Sequence, residues 1–220
     1  GDYDTALQYL QQSLIITQQI GDKSHEGSTF NNIGQNYLAR GDTDTALTYL
    51  QQSLTIHQQI GDKLGEAATL NNLGKIYLTH RDTDTALTYL QQSLTIHQQI
   101  GDRSGEGTAL NNISAIYNAR GETKTALTYL QQSLAIHQQI GDVASLCTTL
   151  FNMGHIYAQN KQMQEAVGTW VTVYRLANQL QLAQALQALA QLAPKLGLSP
   201  GLAGWAALAQ QMEQSGDRAG

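Results

Sequence analysis

From Asp42 onward the apolar positions Ala46, Leu47, Leu50, Leu54 and Ile60 are separated by polar residues at helical spacing. That spacing places them on one face of a helix. A second stripe, Leu70, Leu73, Ile76 and Tyr77, follows in the next segment. Gly61-Asp62, Gly101-Asp102 and Gly141-Asp142 stand between such stripes. A glycine there can take the left-handed conformation that ends a helix, and an aspartate can cap the next helix or start its first turn. Gly41-Asp42 and Gly121-Glu122 punctuate the other junctions, whereas Arg81-Asp82 departs from the pattern and predicts a slightly strained turn. The pattern predicts eleven helices. A lone helix spans 3–20. Four pairs follow: 24–39 with 43–60, 64–79 with 83–100, 104–119 with 123–140, and 143–158 with 162–178. Two more, 180–196 and 200–215, close the C-terminal end, and Ser199-Pro200 marks the start of the last.

The stripes recur with a period of forty. Asp42–Asp62 reads DTDTALTYLQQSLTIHQQIGD, and Asp82–Asp102 repeats it without a substitution. Thr125–Asp142 repeats most of it, with Ala135 where Thr55 and Thr95 stand, and residues 2–22 are a looser copy. The intervening blocks TFNNIGQNY, TLNNLGKIY, ALNNISAIY and TLFNMGHIY are likewise forty residues apart. No single helix can bury its stripe alone. Stacking on neighbours buries it, which makes an all-α solenoid of antiparallel helix pairs. After Leu180 the Gly-Asp punctuation is lost and QLAQALQALAQLAPKLGL follows. The chain therefore divides into a repeat array over 1–180, opening with a half repeat over 1–20, and a degenerate repeat with capping helices over 181–220.

Composition narrows the function. Leu, Ala and Gln dominate, and the only prolines, Pro194 and Pro200, lie near the C-terminus, so helix is favoured throughout. Charged residues make up 13%, about half the usual share. The net charge of -5 argues against nucleic acid, whose binding rests on Lys and Arg neutralising phosphates, and gives no support for an anionic membrane surface. No apolar run approaches the roughly 18 residues that span a bilayer, and no signal peptide is present. Cys147 is the sole cysteine, which favours a reducing, cytoplasmic setting. Gly1 opens the chain in the middle of a pattern, so a piece of a longer protein is expected.

Leu70, Leu73, Gly74, Tyr77, Ala86 and Leu90 fall at the spacings of the tetratricopeptide signature. Ala46, Ala126 and Ala166 recur with Ala86, and Tyr37, Tyr117 and Tyr157 with Tyr77. Over about residues 1–180 the chain resembles the tetratricopeptide repeat family. Its repeat is longer than the usual 34 residues, and the six extra residues add about 9 Å of helix, shared by the pair. This longer form is similar to kinesin light chain and to bacterial signalling proteins, in which such arrays often precede an ATPase or a caspase-like peptidase. The resemblance implies a right-handed superhelix and a concave face lined by the first helix of each pair. It further implies that Asn32, Asn72, Asn112 and Asn152 point into that groove. An asparagine amide offers donor and acceptor together and can match a peptide group on either side. The same residues could equally hydrogen-bond within the scaffold. Asn71 and Asn111 neighbour them, with Asn31, and Phe151 breaks that second row. Gln35, Lys75, Ala115 and His155 follow the small position and differ in every copy, either for specificity or by drift.

His57, His97 and His137 also recur at forty-residue spacing. Neighbouring helices lie about 8–10 Å apart, too far for ligands that must each sit about 2 Å from one zinc. A solvated histidine ladder is expected, with no metal and no cofactor. Cys147 reads as a buried structural thiol, and no Walker loop, HExxH, GxSxG or CxxC occurs. The expected function is therefore non-enzymatic: a scaffold that binds a peptide or protein in its groove, as the sensor or adaptor part of a larger signalling protein. End-to-end self-assembly is the alternative. The uncovered stripe of the first helix, with Ala6, Leu7, Leu10 and Leu14, further predicts weak self-association.

Overall fold

A computed structural model describes residues 3–216, in which every α-helix belongs to one of two units. The unit Gly1–Arg120 carries α1 (Tyr3–Ile20), α2 (Lys23–Arg40), α3 (Thr43–Ile60), α4 (Lys63–Thr79), α5 (Thr83–Ile100) and α6 (Arg103–Ala119). The unit Gly121–Gly220 carries α7 (Thr123–Ile140), α8 (Val143–Gln159), α9 (Met163–Leu180), α10 (Ala183–Leu192) and α11 (Ala203–Gly216). Within the first unit α2 packs on α3 and α4 on α5, and within the second α8 packs on α9. Within each unit, connections of two or three residues turn the chain back between consecutive helices, from α1 to α6 in the first and from α7 to α10 in the second.

The junctions form as their residues dictate. At the end of α3, Gly61 is left-handed at φ 72, its N–H reaches the Gln58 carbonyl, and the Asp62 N–H reaches that of His57. These two bonds satisfy carbonyls that the helix leaves unpaired. Asp62 then caps α4, its carboxylate accepting from the Gly65 N–H at 3.0 Å. The Arg81 turn is strained as expected: its φ is 62, a conformation shared among non-glycines by Lys161 and Gln181.

Close approach of paired helices depends on a missing side chain. A Cβ on Gly74 would lie 2.6 Å from Leu90 Cγ, and one on Gly34 would lie 2.7 Å from Leu50 Cγ. Around these contacts Ala46, Leu50, Leu73 and Ile76 form one cluster, and Ala67, Leu70 and Ile96 another. The stripe turns at the end of each second helix. Ile56 is buried, whereas Ile60, expected to face inward, is exposed at the last position.

In the second unit Trp170 takes the place of Leu90 and packs against Gly154, its indole N–H donating to the Phe151 carbonyl at 3.2 Å. Trp205 packs edge-on to it at 6.3 Å and donates to the Leu189 carbonyl at 2.8 Å. The C-terminal helices differ from expectation. α9 runs to Leu180, α10 starts only at Ala183, and the chain tightens to a 3-10 turn over Ala193–Leu196. Pro194 stands where Gly74 and Gly154 stand in earlier copies, and proline cannot continue an α-helix. α11 starts at Ala203 rather than at Pro200, because Gly201 is left-handed at φ 74.

Candidate functional site

The asparagines of the first helices interlock between neighbours. Asn72 Nδ2 donates to Asn31 Oδ1 at 3.0 Å, and Asn112 Nδ2 donates to Asn71 Oδ1 at 2.7 Å. Each bond takes one asparagine from each of two neighbouring first helices, so α4, bonded on both sides, uses Asn71 and Asn72 together. It uses one of the two N–H donors of Asn72 and one lone pair of Asn71, so each amide keeps hydrogen-bonding capacity beyond the interlock. The interlock also fixes the amide orientation, and Asn71 and Asn72 are both more than nine-tenths buried.

Gln35, Asn71 and Asn72 come together on one cavity of about 420 Å³, which His97, Asp102 and Ser104 also line. The remaining sequence-derived positions are dispersed. Asn32 and Lys75 are exposed and Asn112 is half-buried. Enough protein nonetheless surrounds the Lys75 ammonium to hold its pKa below the ordinary lysine value by desolvation. Asn111 and Asn152 are half-buried, and Ala115 is exposed. In the second unit, the His155 ring packs edge-on against Phe151 at 4.7 Å and Trp170 at 5.2 Å. Burial, and secondarily Lys195, lowers its pKa.

His57, His97 and His137 are not a solvated ladder; each is at least nine-tenths buried. The imidazole of His57 slides beneath Gly65 and that of His97 beneath Gly105. A Cβ on either glycine would lie within 2.3 Å of a ring atom. His57 Nδ1 lies 2.8 Å from Asp62 Oδ2 and His97 Nδ1 lies 2.9 Å from Asp102 Oδ2. The carboxylate that caps one helix thus meets the imidazole closing the helix before it. The signal available in the sequence was Gly65 and Gly105 eight residues after each histidine, where the fourth copy has Ser145.

Cys147 is 1% exposed, and burial pushes its thiol pKa up, which disfavours the nucleophilic thiolate. Among the described residues no group of three or more His, Cys, Asp or Glu could hold a metal ion, and no helix is long and apolar enough to cross a membrane.

The sequence profile described as tetratricopeptide repeat matches residues 1–59, 26–99, 65–139 and 105–177. No curated protein matches the chain by sequence. Among solved structures, a Rap protein complexed with competence and sporulation factor is similar at TM-score 0.79 and 16% identity, over 86% of this chain and 53% of that one. A signal transduction ATPase with a tetratricopeptide repeat sensor, from Pyrococcus horikoshii, is similar at TM-score 0.71 and 18% identity, over 99% of this chain and 33% of that one. The nearly identical repeats of a putative kinesin light chain from Podosopora anserina are similar at TM-score 0.61 and 19% identity, over 83% and 90%. The chain thus spans about half of the Rap protein and a third of the ATPase.

Proposed function

Since the chain belongs to the tetratricopeptide repeat family, we propose that it is a non-catalytic scaffold that holds an extended segment of a protein partner. The segment lies along the first helices of the first unit. One observation carries this reading: Gln35, Asn71 and Asn72 converge on a single cavity with His97 and Asp102. Fixed carboxamides with spare donors and acceptors suit main-chain peptide groups, which present one donor and one acceptor per residue. The scaffold is cytoplasmic and serves as the sensor or adaptor segment of a longer signalling protein. The likeness to a repeat sensor joined to an ATPase supports that setting.

The test uses peptides selected from a random twelve-residue library against the chain. Replacing Asn71 and Asn72 together with alanine should weaken the selected peptides several-fold, as expected when hydrogen bonds of about 0.5–1.5 kcal/mol each are lost. Unchanged affinity in a folded double variant would overturn the reading. End-to-end self-assembly remains a second reading because α1 exposes Tyr9, Ile16 and Ile20 at 67%, 56% and 69%.

A further inference from the structure

The residues that follow the small position are Gln35, Lys75, Ala115 and His155. One more forty-residue step reaches Lys195, directly after Pro194. In the second unit α10 packs beside α8, and Lys195, on the turn that follows α10, is close enough for its charge to act on His155. Lys75 has uncharged neighbours on this row, Gln35 before it and Ala115 after it. His155 and Lys195 instead place two basic groups at successive positions.

Among the described residues neither group has an acidic partner. Of the helices packed against α8, α7 carries Lys124, Tyr129 and His137 as titratable groups, α9 carries Glu165, Tyr174 and Arg175, and α10 carries none. The acids of this unit are committed elsewhere. Glu165 accepts from Gln162 at 3.2 Å, and Glu213 pairs with Arg175 at 3.2 Å. Glu122 opens α7. Asp142 caps α8 through Ser145, thirteen residues before His155 and so roughly 20 Å away along the helix.

We propose that His155 and Lys195 form an anion subsite for a carboxylate of a protein partner, and that His155 takes up a proton as the carboxylate binds. On its own the pair is unfavourable: burial first, and the Lys195 charge second, hold the ring neutral. A carboxylate between the two groups reverses the second effect, because an opposite charge nearby favours the charged form. It accepts from two charged donors through separate oxygens, at about 2.7–2.9 Å from each, and the flexible lysine stem adjusts to the span. Phe151 and Trp170 hold the ring edge-on at 4.7 and 5.2 Å, so its orientation is set beforehand. Proton and carboxylate then favour one another by the same factor. The subsite lies in the other unit from the asparagine pairs and stands independently of them.

NMR titration of the histidine rings in the full 220-residue chain, from pH 8 to pH 5, tests the assignment. One probe is acetyl-Gly-Glu-Gly-Glu-Gly-Glu-amide, which carries side-chain carboxylates alone. The other is acetylated hexaglycine with a free C-terminus. Both stay largely ionised over this range, so His155 is the reporting group. In the chain alone His155 should titrate below the ordinary 6.5. Saturating probe should raise that midpoint by about half a pH unit, with affinity about threefold higher at pH 5 than at pH 8. Tighter binding of the first probe assigns the subsite to an acidic side chain, and of the second to a chain terminus. Lys195→Met should weaken binding several-fold, and His155→Gln should abolish its pH dependence. A His155 titration that neither probe moves, or equal affinity in Lys195→Met, overturns the proposal. Equal binding of the first peptide with glutamine in place of glutamate overturns it too. Should His155→Gln unfold, Lys195→Met decides, since Lys195 is exposed.

Discussion

A single Cβ separates the third histidine from the first two. Ser145 stands where Gly65 and Gly105 make room for an imidazole. His137 Nδ1 is accordingly 3.9 Å from Asp142 Oδ2, against 2.8 and 2.9 Å in the earlier copies. Burial lowers the pKa of His137, and Asp142 offsets only part of that. The ring is thus harder to protonate in the folded than in the unfolded chain. Below the ordinary value of 6.5 the unfolded state binds a proton that the folded state resists, so stability is full above that value and falls as pH drops through it. The Asp142 carboxylate behaves oppositely. Backbone and side-chain hydrogen bonds from Ser145 hold its pKa below 3.8, so its stabilisation persists until pH falls below that value. Melting temperature should therefore decline in two steps from pH 8 to pH 3. His137→Gln should shrink the upper step and spare the lower one, leaving the share of His155. An identical profile in the variant would refute the assignment. The histidines were the least legible residues in the sequence, because a polar residue repeated at fixed spacing reads as solvated unless the glycine that admits it is noticed.

At the scale of helices, the pair contact depends on what glycine lacks. Gly74 lies against Leu90, and an added Cβ would come within 2.6 Å of its Cγ. Gly74→Leu should cost about 1–3 kcal/mol through overpacking. Gly74→Ser should cost much less, since Ser114 occupies the same place in the next copy, buried and donating to the Asn111 carbonyl at 2.6 Å. Chemical denaturation compares the two, and equal tolerance would show that the contact does not limit packing. Wherever local rules were obeyed, the elements were legible: α1 through α8 begin and end within a residue or so of their sequence-derived bounds. They were not legible after Leu180, where Pro194 replaces the small residue and Leu182 replaces the capping aspartate. The candidate site was legible in part. Asparagine rows pointed to the first helices, but the interlock of Asn72 with Asn31 needs a distance between helices that no spacing along the chain supplies.

At the scale of the molecule, α1 bears what its later counterparts hide. Ala46 is 0% and Ile56 8% exposed, whereas Ala6 is exposed and Ile16 is 56% exposed. With so few charges to oppose contact, this face should drive weak self-association of the 220-residue chain. Sedimentation at rising concentration should show a growing weight-average mass, lost in Ile16→Glu with helicity retained. A monomer at every concentration would rule the contact out.

The stretches Asp42–Asp62 and Asp82–Asp102 are identical in sequence and, over α3 and α5, identical in burial at every position. Unequal recombination between them adds or deletes forty residues and recreates the same cap, turn and helix at the seam. Copy number can therefore drift in whole units with little penalty to folding, while the individually distinct first helices change by point substitution. The number of repeats and the side chains of the first helices are thereby open to separate evolutionary adjustment.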